Sequence, residues 1–225
     1  MLRLIPLTIL ALLASAPSRA DDGDIYLDFV VAPQTGWVTH PLAAADPTAL
    51  PFSEQSMFAL KPGVGLGVRR GFGDSLHLGV GLDAAGSTSL TGKGVQVDNR
   101  SGDLLTAAYV ELAMPVTAGW RIDSGADLTG VLELQAGPLV TFWGSSAFAD
   151  PNDLDENGLP AKFPVDIADS WHIGGIVRAQ ALFEARLWDV FVFAVGPSLG
   201  VSWADTVGVH VGLVLRPSAV LGGPL

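Results

Sequence analysis

Residues Trp171–Trp188, WHIGGIVRAQALFEARLW, alternate between two characters. Trp171, Ile173, Gly175, Val177, Ala179, Ala181, Phe183, Ala185 and Leu187 carry no charge, whereas His172, Arg178, Gln180, Glu184 and Arg186 share the other parity. A period of two belongs to a strand with one apolar and one polar face. Wound as a helix, the same residues would scatter Arg178, Gln180 and Glu184 around the axis without forming a polar face. About seventeen residues exceeds the usual five or six of a strand and covers the roughly 9–11 that cross a bilayer. The stretch predicts a transmembrane strand.

Composition points the same way. Nearly half of the 225 residues are apolar (49%) and only 16% are charged. Beyond residue 20, however, no segment offers the eighteen uninterrupted apolar residues of a membrane helix. The longest candidate, Val190–Trp203, has fourteen and contains Gly196, Pro197 and Gly200 among β-branched and aromatic residues, a composition for strand. Backbone polar groups in lipid must be paired internally, so the alternative to helices is a closed β-barrel.

The first twenty residues read as a secretory signal: Arg3, an apolar core Leu4–Leu13, and small residues at Ser18 and Ala20. The mature chain is expected from Asp21 to Leu225 as one barrel domain, with 10 basic against 23 acidic residues and a net charge of −13. That charge excludes nucleic acid as a partner. The absence of cysteine excludes a disulfide scaffold and a lipidated N-terminus.

The pattern repeats eight times. Strands are expected at 24–32, 57–70, 75–83, 103–119, 127–143, 171–188, 190–203 and 207–216. On the second, Phe58, Leu60, Val64, Leu66 and Val68 oppose Lys61, Gly63, Gly65, Gly67 and Arg69; on the third, Leu76, Leu78, Val80 and Leu82 oppose Ser75, His77, Gly79, Gly81 and Asp83. Long loops are expected at 33–56, 86–102 and 144–170, with short turns after the second and sixth strands. This alternation gives an all-β fold, an eight-stranded antiparallel up-and-down transmembrane β-barrel with its N-terminus in the periplasm. Trp120, Trp143, Trp171, Trp188 and Trp203 fall near strand ends, where aromatic girdles lie.

Stretches such as FALKPGVGLGVRRG (58–71) and TVGVHVGLVLRP (206–217) make the mature chain resemble the small eight-stranded outer-membrane barrels of Gram-negative bacteria, the opacity-type and structural anchor group. The resemblance implies an outer-membrane location, outer-membrane lipids and the insertion machinery as partners, and a structural or surface-interaction role. Many members of that group end in an aromatic residue; this chain ends VLGGPL.

An eight-stranded barrel is just wide enough to be filled by side chains. Glu111, Glu133, Gln135, Arg178 and Gln180 fall at similar depth on adjacent strands and are expected to form a polar lumen cluster, with Arg178 pairing Glu133 and also reaching toward Glu111. His77, His172 and His210 point inward at different depths, which disfavours a shared metal. Ser202 and His210 on neighbouring strands are the pair that a lipid-modifying enzyme would need. Inward glycines, among them Gly63, Gly65, Gly67, Gly79, Gly81, Gly196 and Gly208, leave a narrow channel as the alternative function. A soluble lipocalin-like carrier would need the opposite polarity. In the third loop, Asp153, Asp155, Asn157 and Gly158 match the first half of a calcium loop, but Pro164 stands where its bidentate Glu belongs.

Overall fold

The computed structural model describes residues 23–39, 56–72, 75–88, 90–97, 100–123, 128–165, 171–187, 190–204 and 207–221. Fifteen β-segments join end to end into eight barrel staves. Stave 1 is β1 (Ile25–Val31) with β2 (Gln34–Thr39), stave 2 is β3 (Ser56–Lys61) with β4 (Gly63–Phe72), and stave 3 is β5 (Leu76–Ser87) with β6 (Leu90–Val97). Stave 4 comprises β7 (Arg100–Thr106), β8 (Tyr109–Ala113) and β9 (Val116–Asp123), and stave 5 comprises β10 (Thr129–Trp143) and β11 (Ser146–Leu154). Stave 6 is β12 (Pro160–Val165) followed by β13 (Trp171–Leu187), stave 7 is β14 (Phe191–Trp203) and stave 8 is β15 (Val207–Val220). Several breaks fall at prolines that lack a donor, such as Pro33, Pro62 and Pro115.

All neighbours are antiparallel, and β15 closes the barrel onto β1 and β2. One ring of paired residues shows the closure. Leu27 pairs Val68, then Val80, Val116, Ala136, Val177, Val201 and Val209 follow in turn, and Val209 pairs Trp37. The circuit returns to stave 1 ten residues further along, from Leu27 to Trp37. With a rise of about 3.3 Å per residue and a spacing of about 4.8 Å, that stagger tilts eight strands by about 41°.

Every residue in that ring faces outward. Val80, Phe183 and Ile173 are 61, 62 and 65% exposed, and the whole wall between Phe72, Leu76 and Trp120 at one end and Phe142, Trp171, Trp203 and Trp37 at the other is apolar. Among the described residues of this wall the single charge is Arg70, whose guanidinium lies 5.5 Å from the Phe72 ring at the turn end. Such a surface belongs in hydrocarbon, and the reverse polarity of a soluble carrier is ruled out.

The loop end departs from expectation. Within residues 86–102 and 144–165, where the sequence pattern predicts loops, β6 pairs β7 and β11 pairs both β7 and β12, extending the wall beyond the aromatic row. Gly, Ser and Thr there fill strand positions because cross-strand pairing overrides weak local preference. Stave 1 likewise continues past Pro33 to Thr39, and stave 8 runs to Val220. Trp143 is not part of the girdle: it turns inward, 4% exposed, with its ring 4.6 Å from that of Tyr109. Ala185 is buried as well. Trp188 and residues 166–170 lie outside the described residues.

Candidate functional site: the lumen plug and the loop-end hairpin

The lumen is filled in tiers. At the turn end, Arg69 donates to Asp28 (Nε–Oδ2 2.6 Å, Nη2–Oδ1 3.0 Å), and Ser218 also donates to Asp28 at 2.6 Å. Arg216 grips Glu133 through both terminal nitrogens, and His77 Nε2 is 2.7 Å from the same carboxylate. Glu184 lies among three guanidiniums, those of Arg121, Arg69 and Arg216, at 3.3–3.9 Å. The Tyr26 ring has Arg69 and Arg121 at 5.0 and 5.1 Å. Arg186 reaches Asp24.

Above this, Lys61 donates to Glu111 Oε2 at 2.8 Å, and Tyr109 donates to Glu111 Oε1 at 2.5 Å. Arg178 bonds Asp83, and Gln180 donates to Gln135 at 3.2 Å. Val38, Ala59, Leu90, Leu104, Tyr109 and Trp143 close the loop end as an apolar tier. Among the described residues, six lumen acids (Asp24, Asp28, Asp83, Glu111, Glu133, Glu184) face six lumen bases (Lys61, Arg69, Arg121, Arg178, Arg186, Arg216). Among these described residues the formal charges balance, which suits burial of charge in so narrow a space.

The inward glycines make room for these side chains. Along one inner ring, Tyr26, Arg69, Gly79, Thr117, Gln135, Arg178, Gly200 and His210 pair in turn, and His210 then pairs Gly36. A Cβ on Gly79 would stand 2.7 Å from Arg69 Cγ, and one on Gly200 would stand 2.8 Å from Arg178 Cγ. At Gly79 and Gly200 the space a side chain would take is occupied by arginine stems, whereas Gly63, Gly67 and Gly81 border the cavities that remain. Two cavities of about 30 Å³ share Val30, Asp83, Gln135 and Arg216, and each has room for about two waters.

The five residues expected to cluster are divided by the structure. Glu111, Gln135, Arg178 and Gln180 line one of these cavities, while Glu133 sits in the turn-end tier. Arg178 pairs neither Glu133 nor Glu111; its partner is Asp83, across the lumen from stave 6 to stave 3. Asp28 and Arg69 pair between neighbouring staves 1 and 2, whereas Asp83, Arg121 and Arg216 find their partners on non-adjacent staves, contacts that a reading of adjacent strands misses in a lumen one side chain wide.

Ser202 and His210 do meet, Oγ to Nε2 at 2.7 Å, but the ring's Nδ1 is 2.8 Å from Lys61 Nζ. An ammonium can only donate, so Nδ1 accepts and the ring proton sits on Nε2, pointing at the hydroxyl. A general base needs its lone pair there. Both residues are buried. His77 is engaged separately with Glu133, so the histidines do not converge.

The acidic stretch forms the tip of the β11–β12 hairpin. Asp153 lies on β11; Asp155 and Asn157 lie in the turn, where Asp155 Oδ1 accepts the Asn157 and Leu159 amides at 2.8 and 3.0 Å. Those bonds, Leu159's foremost, hold the Asp155 carboxyl below the ordinary aspartate value. Among the described residues no three His, Asp or Glu side chains are arranged to hold a metal.

No protein-family model and no curated protein matches the chain. Solved structures similar to it include Ail, the attachment invasion locus protein of Yersinia pestis, in complex with the heparin analogue sucrose octasulfate (14% identity, 88% of this chain and 98% of that one, TM-score 0.42). Others are Neisserial surface protein A (10%, 85% and 95%, 0.43) and the N-terminal β-barrel domain of Pseudomonas aeruginosa OprF (9%, 87% and 99%, 0.33).

Proposed function

We propose that this chain is a non-catalytic outer-membrane barrel whose lumen is a structural plug and whose loop end presents a surface for interaction. The observation that carries the reading is the filled, electroneutral lumen capped by an apolar tier, inside a wall that is apolar between two aromatic rows. Export would follow removal of residues 1–20, and the short turns with both described termini would lie in the periplasm. The sign of the loop end separates it from a heparin-type ligand. Segments 40–55, 88–105, 144–170 and 204–206 hold eleven carboxylates against three basic residues, which disfavours a sulfated polyanion and favours a cationic partner.

Cell fractionation with a cold-versus-boiled gel tests the location, and planar-bilayer conductance tests the plug. The expected result is an outer-membrane protein whose mobility shifts on boiling and which gives no steady conductance steps. Recovery as a soluble periplasmic protein without a shift would overturn the barrel reading, and steady single-channel steps would replace the plug with a channel.

A further inference from the structure

The β11–β12 hairpin carries apolar side chains that its own fold does not bury. Leu154 is 58% exposed and Leu159 62%, on either side of a turn drawn tight by Asp155 N to Leu159 O at 2.8 Å and Gly158 N to Asp155 O at 2.9 Å. Gly158 adopts the left-handed conformation the turn requires, with φ of 75°. The tip is far from lipid. From Phe142 in the aromatic row to Asp155 is thirteen residues, which at about 2.5 Å of climb each puts the leucines roughly 30 Å beyond the wall. They are not part of the lipid-facing surface.

Nor does the hairpin invite another strand. Pro160, Lys162 and Pro164 share one parity on β12, so two prolines remove donors and a lysine adds charge along that edge. Contact must come through side chains at the tip, where Asp150, Asp153, Asp155 and Glu156 flank the leucines along the chain. We infer that the tip is a docking element for a protein partner that presents an apolar cleft rimmed by Lys and Arg. This rests on the surface-interaction reading above and names the partner's chemistry. Charge decides against a second copy, which would oppose two acidic ends, and against an anionic bilayer, which would repel four carboxylates. A rigid turn bearing exposed apolar anchors suits such a cleft because little order remains to be gained on binding.

The test uses the full barrel in nanodiscs, checked by its cold-versus-boiled mobility shift, and a random twelve-residue peptide phage library as probe. Selected peptides should combine Lys or Arg with Leu, Phe or Trp. Their binding should fall at least tenfold for Leu154→Ser with Leu159→Ser, fall several-fold for Asp153→Asn with Glu156→Gln, and persist for Arg70→Gln at the turn end. A pool that binds the double-serine variant as well as the parent, a pool of acidic sequences, or no convergence at all would overturn the inference. A missing mobility shift in the parent would count instead against the barrel itself.

Discussion

Arg216 holds Glu133 with two parallel hydrogen bonds, 2.7 and 2.8 Å long, across the lumen from stave 8 to stave 5. Both groups are buried, at 2 and 4% exposure. Removing one partner of such a pair commonly costs about 3–5 kcal/mol because the other charge is left uncompensated. Arg216→Ala should therefore lower the urea midpoint and the temperature of the gel-mobility transition. Glu133→Gln added to it should recover part of the loss. An unchanged midpoint in the single variant would mean that the lumen tolerates the bare carboxylate.

The same reasoning assigns Arg178 to a different partner. It bonds Asp83, and Glu133 is already occupied by Arg216 and His77. In double-mutant cycles scored by unfolding free energy, Arg178→Ala and Asp83→Asn should show a coupling within about 0.5–3 kcal/mol, the range for residues in direct contact. Arg178→Ala and Glu133→Gln should be additive within about 0.5 kcal/mol. Coupling to Glu133 alone would contradict the observed arrangement.

Glycine spacing in the lumen gives a third test. Gly119 lies between His77 and Glu133 on neighbouring staves, and a Cβ there would stand 2.2 Å from the imidazole and 2.9 Å from Glu133 Cγ. Gly130, eleven residues on, has nothing closer than 3.6 Å. Gly119→Ala should destabilise by about 1–3 kcal/mol through overpacking. Gly130→Ala should stay within about 1 kcal/mol of the parent, since it also restricts the unfolded chain. Equal denaturation midpoints for the two variants would show that the His77–Glu133 contact yields easily.

These contrasts show what could be read from residue order. The two faces of stave 6 were legible because Trp171, Ile173 and Phe183 alternate with Arg178 and Gln180, and each register slip would reverse them. The loop-end strands were not, because β6, LTGKGVQV, and β11, SAFADPNDL, mix small and polar residues whose pairing comes from their neighbours. Lumen residues could be named by parity, but their partners could not. Pairing across the barrel depends on the ten-residue stagger, which no single strand contains, so Arg178 and Asp83 could each be placed on the inner face while their pairing with one another could not. Trp143 was misplaced because an aromatic residue near a strand end suits a girdle or an internal cap equally well.

The hairpin tip supplies the last prediction. Asp155 is exposed, and its carboxyl is held below the ordinary aspartate value by the Leu159 and Asn157 amides. A carboxylate depressed in the folded state stabilises its turn above the unfolded pKa, and that contribution is lost as the pH falls through the lower folded value. The Asn157 and Leu159 amide resonances of the intact barrel should therefore titrate with a midpoint below that of an unstructured aspartyl peptide. Asp155→Asn should abolish the titration while leaving an acceptor for both amides. Since Oδ1 is already committed to these bonds, millimolar calcium should leave the midpoint where it is. A calcium-dependent fall in the midpoint would instead restore the cation site suggested by Asp153, Asp155 and Asn157, because a bound cation favours the ionised carboxylate.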